Sequence, residues 1–337
     1  MRVRVLIVDD SAFFREVLRD ALAPWPELEV VGEAGDGAAA IAAARALRPD
    51  VITMDVVLPL VGGLEAIRAI VAERPTAIVV LSRRVGHDAR LALDAIAAGA
   101  VELVEKPLAG LDAAAARRLV ELLVTVGTRP PPVSPPAVAP PPALAVAVAA
   151  RVVGVVASTG GPPLLRALLA ALPRDYPAPI AIVQHTTAGF VEPLVSWLAD
   201  ASALPVRVAV AGARLRGGEV VVAPDDRHLT VSAGGVVELG RGPREDGHRP
   251  SGTALLRSLA RGAGAGAVGA VLSGMGHDGA AGLGAVAASG GVAIVQDPAD
   301  AVIGAMPRAA LAAAPGATVV RASALPAVLV LAARGAA

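Results

Sequence analysis

Two groups of residues in this 337-residue chain have the types and spacing of reactive sites. The first is acidic. Asp9 and Asp10 follow the apolar run RVRVLIV, Asp55 ends VITM, Ser82 ends TAIVVL, and Lys106 stands before Pro107 at the end of VELVE. If these runs are neighbouring parallel strands, all five groups reach one sheet edge, where open α/β sheets place their chemistry. Three carboxylates in one small site repel each other unless a cation is present. A hard divalent ion with oxygen ligands, Mg²⁺, answers that repulsion. Lys106 adds a second positive charge and Ser82 a hydroxyl donor. Together they suit a phosphoryl group carried on Asp55. One acid at a strand end is an ordinary solvated turn; five complementary groups at successive strand ends are a site.

The second group combines a hydroxyl, an imidazole and a carboxylate. Ser158 ends the run RVVGVVA and is followed by Thr159-Gly160-Gly161, a turn that opens a helix. Alone, Ser158 reads as a capping serine. His185 follows PIAIVQ, and a lone histidine there reads as a hydrogen-bonded structural residue. Asp278 lies in Ser273-Gly274-Met275-Gly276-His277-Asp278-Gly279, where alone it reads as an N-cap. At the carboxyl ends of three strands they can meet as nucleophile, base and orienting carboxylate. Backbone N–H groups of the Gly274–Gly276 turn are oxyanion-hole candidates, with Met275 the preferred donor. Thr159 is placed to donate to the oxyanion or to His185. The chain order Ser, His, Asp and the lack of a G-x-S-x-G elbow exclude a lipase-like hydrolase.

The elements that must position these groups follow the same grammar twice. Residues 1–126 alternate five apolar runs with helical spacings, which implies a parallel sheet covered on both faces. Residues 127–150 are dense in proline and alanine (TRPPPVSPPAVAPPPALAVAVAA), which favours an extended, semi-rigid linker. Residues 151–337 repeat the strand–helix alternation with longer spacers, and Val206 to Gly240 reads as a β-hairpin excursion. The fold class is therefore α/β, with two doubly wound parallel-sheet domains.

Composition narrows the function further. Basic and acidic side chains number 30 each, so the formal net charge is zero, which argues against a nucleic-acid-binding face. Three Phe, two Trp and one Tyr leave few stacking platforms. With no cysteine, a thiolate nucleophile and Cys-ligated zinc are excluded, and serine is left as the acyl-enzyme nucleophile. Mean hydropathy is +0.63. It comes from alanine and valine rather than from a stretch of about 20 unbroken apolar residues, so membrane insertion is not expected. The N-terminus MRVRVLIVDD reaches acid too early for a signal peptide, and a cytoplasmic location is expected.

These motifs carry resemblances. The first domain resembles the receiver domain of two-component response regulators through Asp9–Asp10, Met54–Asp55, Ser82 and Lys106–Pro107. The resemblance implies that Asp55 accepts a phosphoryl group from a histidine kinase. It also implies that Asp10, Asp55 and the Val57 carbonyl hold Mg²⁺ with help from Asp9. The second domain resembles the chemotaxis protein-glutamate methylesterases. The matching pieces are AST-GG at 157–161, QH at 184–185, APDDRHL at 223–229, GHRPS at 247–251 and SGMGHDGAAGL at 273–283. Ser158, His185 and Asp278 fall on that family's triad positions. The family implies hydrolysis of γ-glutamyl methyl esters on cytoplasmic chemoreceptor helices, and in many members deamidation of receptor glutamines. Its architecture implies control by phosphorylation, with the unphosphorylated receiver blocking the Ser158 edge. Leu103 and Gly304 stand where the two families commonly carry aromatics. His277 reads as a rim residue, and His87 as a solvated loop residue. Two alternatives stay open: the same mechanism on a different ester or amide, and a non-catalytic adaptor that docks receptors.

Overall fold

The computed structural model describes residues 2–82, 87–106, 112–128 and 152–334. Of the expected linker at 127–150, residues 129–150 lie outside the described residues, as do Pro107 and the side chain of His87; Gly127 and Thr128 instead close the helix that starts at Ala113. The chain divides into two compact units, Met1–Val133 and Ser134–Ala337.

The first unit alternates β1 (Val3–Val8), α1 (Ala12–Leu22), β2 (Leu28–Ala34), α2 (Gly37–Leu47), β3 (Val51–Asp55), α3 (Gly63–Glu73), β4 (Ala77–Ser82), α4 (His87–Ala97), β5 (Glu102–Glu105) and α5 (Ala113–Gly127). Its sheet order is β2-β1-β3-β4-β5, and every pairing is parallel. β3 and β4 are buried along their whole length, as continuous apolar runs between two helical layers should be. Helix starts follow side-chain capping: Ser11 accepts from the Phe14 N–H, Asp36 from Ala39 and Asp112 from Ala115. From β1 the chain turns to β2 on one side and later to β3 on the other. The carboxyl ends of β1 and β3 therefore flank a switch-point crevice.

The second unit contains β6 (Val152–Ala157), α6 (Gly161–Ala171), β7 (Ile180–Gln184), α7 (Val191–Ala199), β8 (Val206–Val208), β9 (Val220–Val222), β10 (His228–Val231) and β11 (Val237–Gly240). It continues with α8 (Gly252–Ala263), β12 (Ala267–Val271), α9 (Ala280–Ala288), β13 (Val292–Gln296), α10 (Ala305–Ala313), β14 (Thr318–Val320) and α11 (Leu325–Arg334). The seven-stranded sheet runs β14-β13-β12-β6-β7-β9-β8. All its pairings are parallel. The expected hairpin over Val206–Gly240 is therefore shorter than its Val and Gly content suggested. β8 and β9 extend the main sheet in parallel, and only β10 and β11 form an antiparallel pair. Valine favours pleated structure without saying which edge it joins.

The switch point of this sheet lies between β6 and β12, because the chain leaves β6 towards β7 and returns to β12 on the opposite side. α8 lies close over β6. A Cβ on Gly252 would stand 2.2 Å from Val156 Cγ1, so only glycine lets the helix start so near the strand. The large aromatics Tyr176, Phe190 and Trp197 are all buried, and Tyr176 Oη donates to the Leu329 carbonyl at 3.2 Å. Among the described residues, no helix is long and apolar enough to cross a membrane.

Candidate active site and phosphorylation pocket

The loops after β6, β7 and β12 bring the second reactive group together. The N–H of Ser158 donates to the Ser273 carbonyl at 2.9 Å, which stitches the β6 and β12 turns across the crevice. A Cβ on Gly274 would fall 2.7 Å from Ser158 Cβ and 2.1 Å from Met306 Sδ, so the glycine admits the close approach of Ser158. Gln184, the last residue of β7, is buried. Its Nε2 donates to the carbonyls of Ser158 and His185, both at 2.9 Å. Gln296, at the end of β13, plays the matching part on the other side, accepting from Ser273 N–H at 2.8 Å. The repeated AIVQ at 181–184 and 293–296 was the sequence signal for this pair of braces.

His185 Nε2 lies 2.8 Å from Asp278 Oδ2. Asp278 is fully buried, and its carboxylate does not cap its own helix α9. It sits at the N-terminus of α8 instead. It accepts from Ser251 Oγ at 2.8 Å, Gly252 N–H at 2.6 Å and Thr253 N–H at 2.9 Å, with a further bond from its neighbour Gly279 N–H at 2.9 Å. Helix N-termini present unpaired donors and a positive partial charge. Burial opposes ionisation of Asp278, but the hydrogen bond and charge of His185 outweigh it, aided by the Thr253 and Gly252 N–H groups. The carboxyl is held well below the usual carboxylate range. Asp278 is therefore a fixed anion.

The other ring nitrogen, His185 Nδ1, is buried and has no hydrogen-bond partner among the described residues. Neither Ser158 nor Thr159 bonds to it in this state. Catalytic hydrogen bonds in unliganded sites often close only when substrate binds. Of the expected oxyanion donors, the Gly274 N–H is already engaged by the Ile303 carbonyl at 3.0 Å. The Met275 N–H donates to no acceptor among the described residues, which leaves it the better candidate in that turn. Thr159 is buried, with its carbonyl accepting from Ser273 Oγ at 2.7 Å.

The histidines divide by role. His228 is buried and bonds through Nε2 to the Pro243 carbonyl at 2.9 Å, bracing a loop. His277 is exposed on the rim, 3.5 Å from Asp246. Sequence reasoning assigned no role to His248, whose ring stacks on that of His185 with centroids 3.8 Å apart. At Gly304 a Cβ would meet the Pro298 carbonyl oxygen at 2.6 Å, so this chain has no room there for an aromatic.

In the first unit, Asp9 and Asp55 are buried and share one cation. Lys106 Nζ stands 2.6 Å from Asp9 Oδ2 and 2.7 Å from Asp55 Oδ2, with its ammonium 4.4 Å over the Phe14 ring. Burial disfavours the charged lysine, yet its bonds to Asp55 and Asp9 overcome that and raise its pKa. Burial raises Asp9 in spite of Lys106. Asp55 Oδ1 accepts from Val57 N–H at 2.9 Å, and Ser82 is buried at the neighbouring strand end. One ligand oxygen from each of Asp9, Asp10 and Asp55 falls within 4.8 Å of the others. An all-oxygen, multiply anionic donor set of this kind fits Mg²⁺.

Comparison with known proteins now adds to this geometry. A family model described as CheB methylesterase matches residues 153–329, and one described as response regulator receiver domain matches residues 5–116. A protein-glutamate methylesterase/protein-glutamine glutaminase of Anaeromyxobacter dehalogenans is 46% identical over 319 residues, covering 92% of this chain and 93% of the relative. The chain belongs to the CheB methylesterase family. A second such relative, from Myxococcus xanthus, is 42% identical over 92% of this chain and 88% of its own length. The crystal structure of the Thermotoga maritima CheB methylesterase catalytic domain aligns with a TM-score of 0.52 at 32% identity. It covers 54% of this chain and 98% of that domain. The protein is thus a chemotaxis response regulator whose receiver is joined to a methylesterase domain.

Proposed function

We propose that Ser158, His185 and Asp278 are the nucleophile, base and orienting carboxylate of a protein-glutamate methylesterase. The observation that carries this is the part-buried His185–Asp278 bond at 2.8 Å, set at the same switch point as Ser158. Asp278 binds Nε2, so Nδ1 is the ring nitrogen left to take the Ser158 proton. As Ser158 Oγ bonds to the ester carbonyl carbon, its proton passes to Nδ1, and Asp278 stabilises the imidazolium. The Met275 N–H, with Thr159 in support, faces the developing oxyanion. Collapse of the tetrahedral intermediate returns the proton to the leaving methoxide, which departs as methanol. Water then attacks the acyl-enzyme with His185 again as base, releasing glutamate carboxylate and restoring Ser158. A glutamine side chain would follow the same path with ammonia as leaving group, as the glutaminase part of the relatives' names suggests. The substrate segments are the methylated cytoplasmic helices of chemoreceptors.

The receiver supplies control. Asp55 accepts a phosphoryl group from a histidine kinase; Asp9, Asp10, Asp55 and the Val57 carbonyl are the groups that would hold Mg²⁺. The ion supplies charge neutralisation to the transferring phosphoryl group. Lys106 and Ser82 take its oxygens once Lys106 leaves its present carboxylate partners. The modified Asp55 shifts the population towards a state with a more active esterase. Methanol release from methylated receptor fragments tests both halves. Ser158→Ala should abolish release, and a small-molecule phosphodonor with Mg²⁺ should stimulate the wild type but not Asp55→Asn. Release by Ser158→Ala at the wild-type rate would overturn the triad assignment. Equal stimulation of Asp55→Asn would overturn the control.

A further inference from the structure

The proposed triad leaves one group over the base unexplained. The His248 ring lies flat on the His185 ring, with centroids 3.8 Å apart and planes within 2° of parallel. We propose that His248 is a positioning residue for the esterase reaction, a neutral aromatic plate that holds the plane of His185 and stabilises its imidazolium. This inference rests on His185 being the base.

Asp278 ties His185 at one nitrogen only, so the ring can still rock about that bond. A plate on its face removes the rocking and keeps Nδ1 aimed at the nucleophile. The plate itself is rigidly carried. Glu245 and His248 exchange backbone hydrogen bonds of 3.1 and 2.9 Å. The two residues between them, Asp246 and Gly247, both have positive φ, at 54° and 82°. That is the Asp-Gly chemistry of a tight I′ turn. Thr253 Oγ1 donates to Asp246 Oδ2 at 2.7 Å, bracing the turn to α8, the helix that also seats Asp278. On the other flank Arg249 Nε donates to Asp226 Oδ1 at 2.8 Å and its Nη1 to the Gly242 carbonyl at 2.9 Å.

The charged groups around the His248 ring set its state. Burial first, then His185 and Arg244, push its pKa down to about 4 against the opposing pull of Asp278 and Asp246. His248 is therefore neutral while His185 cycles through its charged form. A neutral ring face attracts a cation lying over it, whereas two stacked imidazolium rings would repel. His248 gains and loses no proton in either step; the proton that leaves Ser158 resides on His185 alone.

Steady-state methanol release by the full-length protein, measured as kcat and KM across the acid limb, tests this. His248→Ala should lower kcat about tenfold with KM little changed. His248→Phe, which restores an uncharged ring, should recover most of that loss. His248→Lys places a fixed charge over the base, so it should cost more than alanine and move the acid limb to lower pH. Melting temperatures identify any variant whose loss is a folding loss. The proposal is overturned if His248→Ala keeps wild-type kcat. It is equally overturned if alanine, phenylalanine and lysine variants lose activity alike with an unmoved acid limb. His185→Ala separates the two levels. An inactive His185→Ala beside a fully active His248→Ala sinks only the role of His248. An active His185→Ala removes the base assignment and this inference with it.

Discussion

Both units place a buried carboxylate at the switch point of a parallel sheet, but they neutralise it in opposite ways. Asp278 is saturated by fixed donors: an imidazole, a hydroxyl and three backbone N–H groups, two of them from the first turn of α8. Asp9 and Asp55 instead share one long side chain, the Lys106 ammonium. The difference matches the roles proposed for them. An orienting carboxylate works by not changing, and backbone donors cannot swing away. A carboxylate that is to be phosphorylated must release one oxygen, and a lysine on a flexible stem can follow the new charge. Preorganisation and exchangeability are thus built on the same sheet edge from different donors.

The contrast can be broken most decisively at Asp278. Asp278→Asn replaces one acceptor oxygen by a donor amide among groups that are all donors, so the base loses its orienter. We expect kcat to fall about 10⁴-fold, read as methanol release, with a lower melting temperature. A variant within tenfold of wild type would show that the saturated seat is only structural. The next effect is at Lys106. Lys106→Ala leaves two buried carboxylates without a cation and should cost about 3–5 kcal/mol of stability, measured by denaturant unfolding. Added Mg²⁺ should then raise the melting temperature of the variant more than that of wild type; no rise in either protein would mean the acids do not form the metal seat.

Ser251 sharpens the same comparison on a smaller scale. Its hydroxyl donates to Asp278 and also accepts from Ala254 N–H as the N-cap of α8. Ser251→Ala should cost about 1–2 kcal/mol and lower kcat by only a few-fold, because the other donors remain. A further effect is on pH dependence. His248 is depressed from its ordinary 6.5 to about 4, so between those values the unfolded chain binds more protons than the folded one. Its contribution to stability is complete above pH 6.5 and is lost as pH falls through the folded value. Melting temperature should therefore fall less steeply with acidification in His248→Phe than in wild type. Identical slopes would mean that His248 titrates alike in both states.

Much of the site was legible because function at a sheet edge follows from local pattern. Short apolar runs ending in Asp, Ser, His or Lys announce strand ends, and the two parallel sheets put those ends side by side. What stayed hidden depended on contacts between distant segments. Asp278 read alone as an N-cap of its own helix, since nothing local says that α8, some 25 residues earlier, offers it a better seat. The Gly274 N–H could not be removed from the oxyanion candidates before Ile303 was seen to take it. β8 and β9 carry the valine content of a hairpin, yet parallel neighbours claimed them. The stack of His248 on His185 joins residues 63 positions apart, although the Asp246-Gly247 turn that carries it was written in the sequence.

Local pattern was enough for the α/β grammar, the acidic trio with its lysine, the candidate serine, histidine and aspartate, and the family. These follow from period, residue type and order, which are local properties of a chain. Packing between distant turns settles which nitrogen of His185 is held, which backbone donors are already spent and which ring lies over His185. Those choices depend on how separate turns pack at a switch point. A hydrogen bond or a stack is decided over a few ångströms, and sequence spacing does not encode that distance.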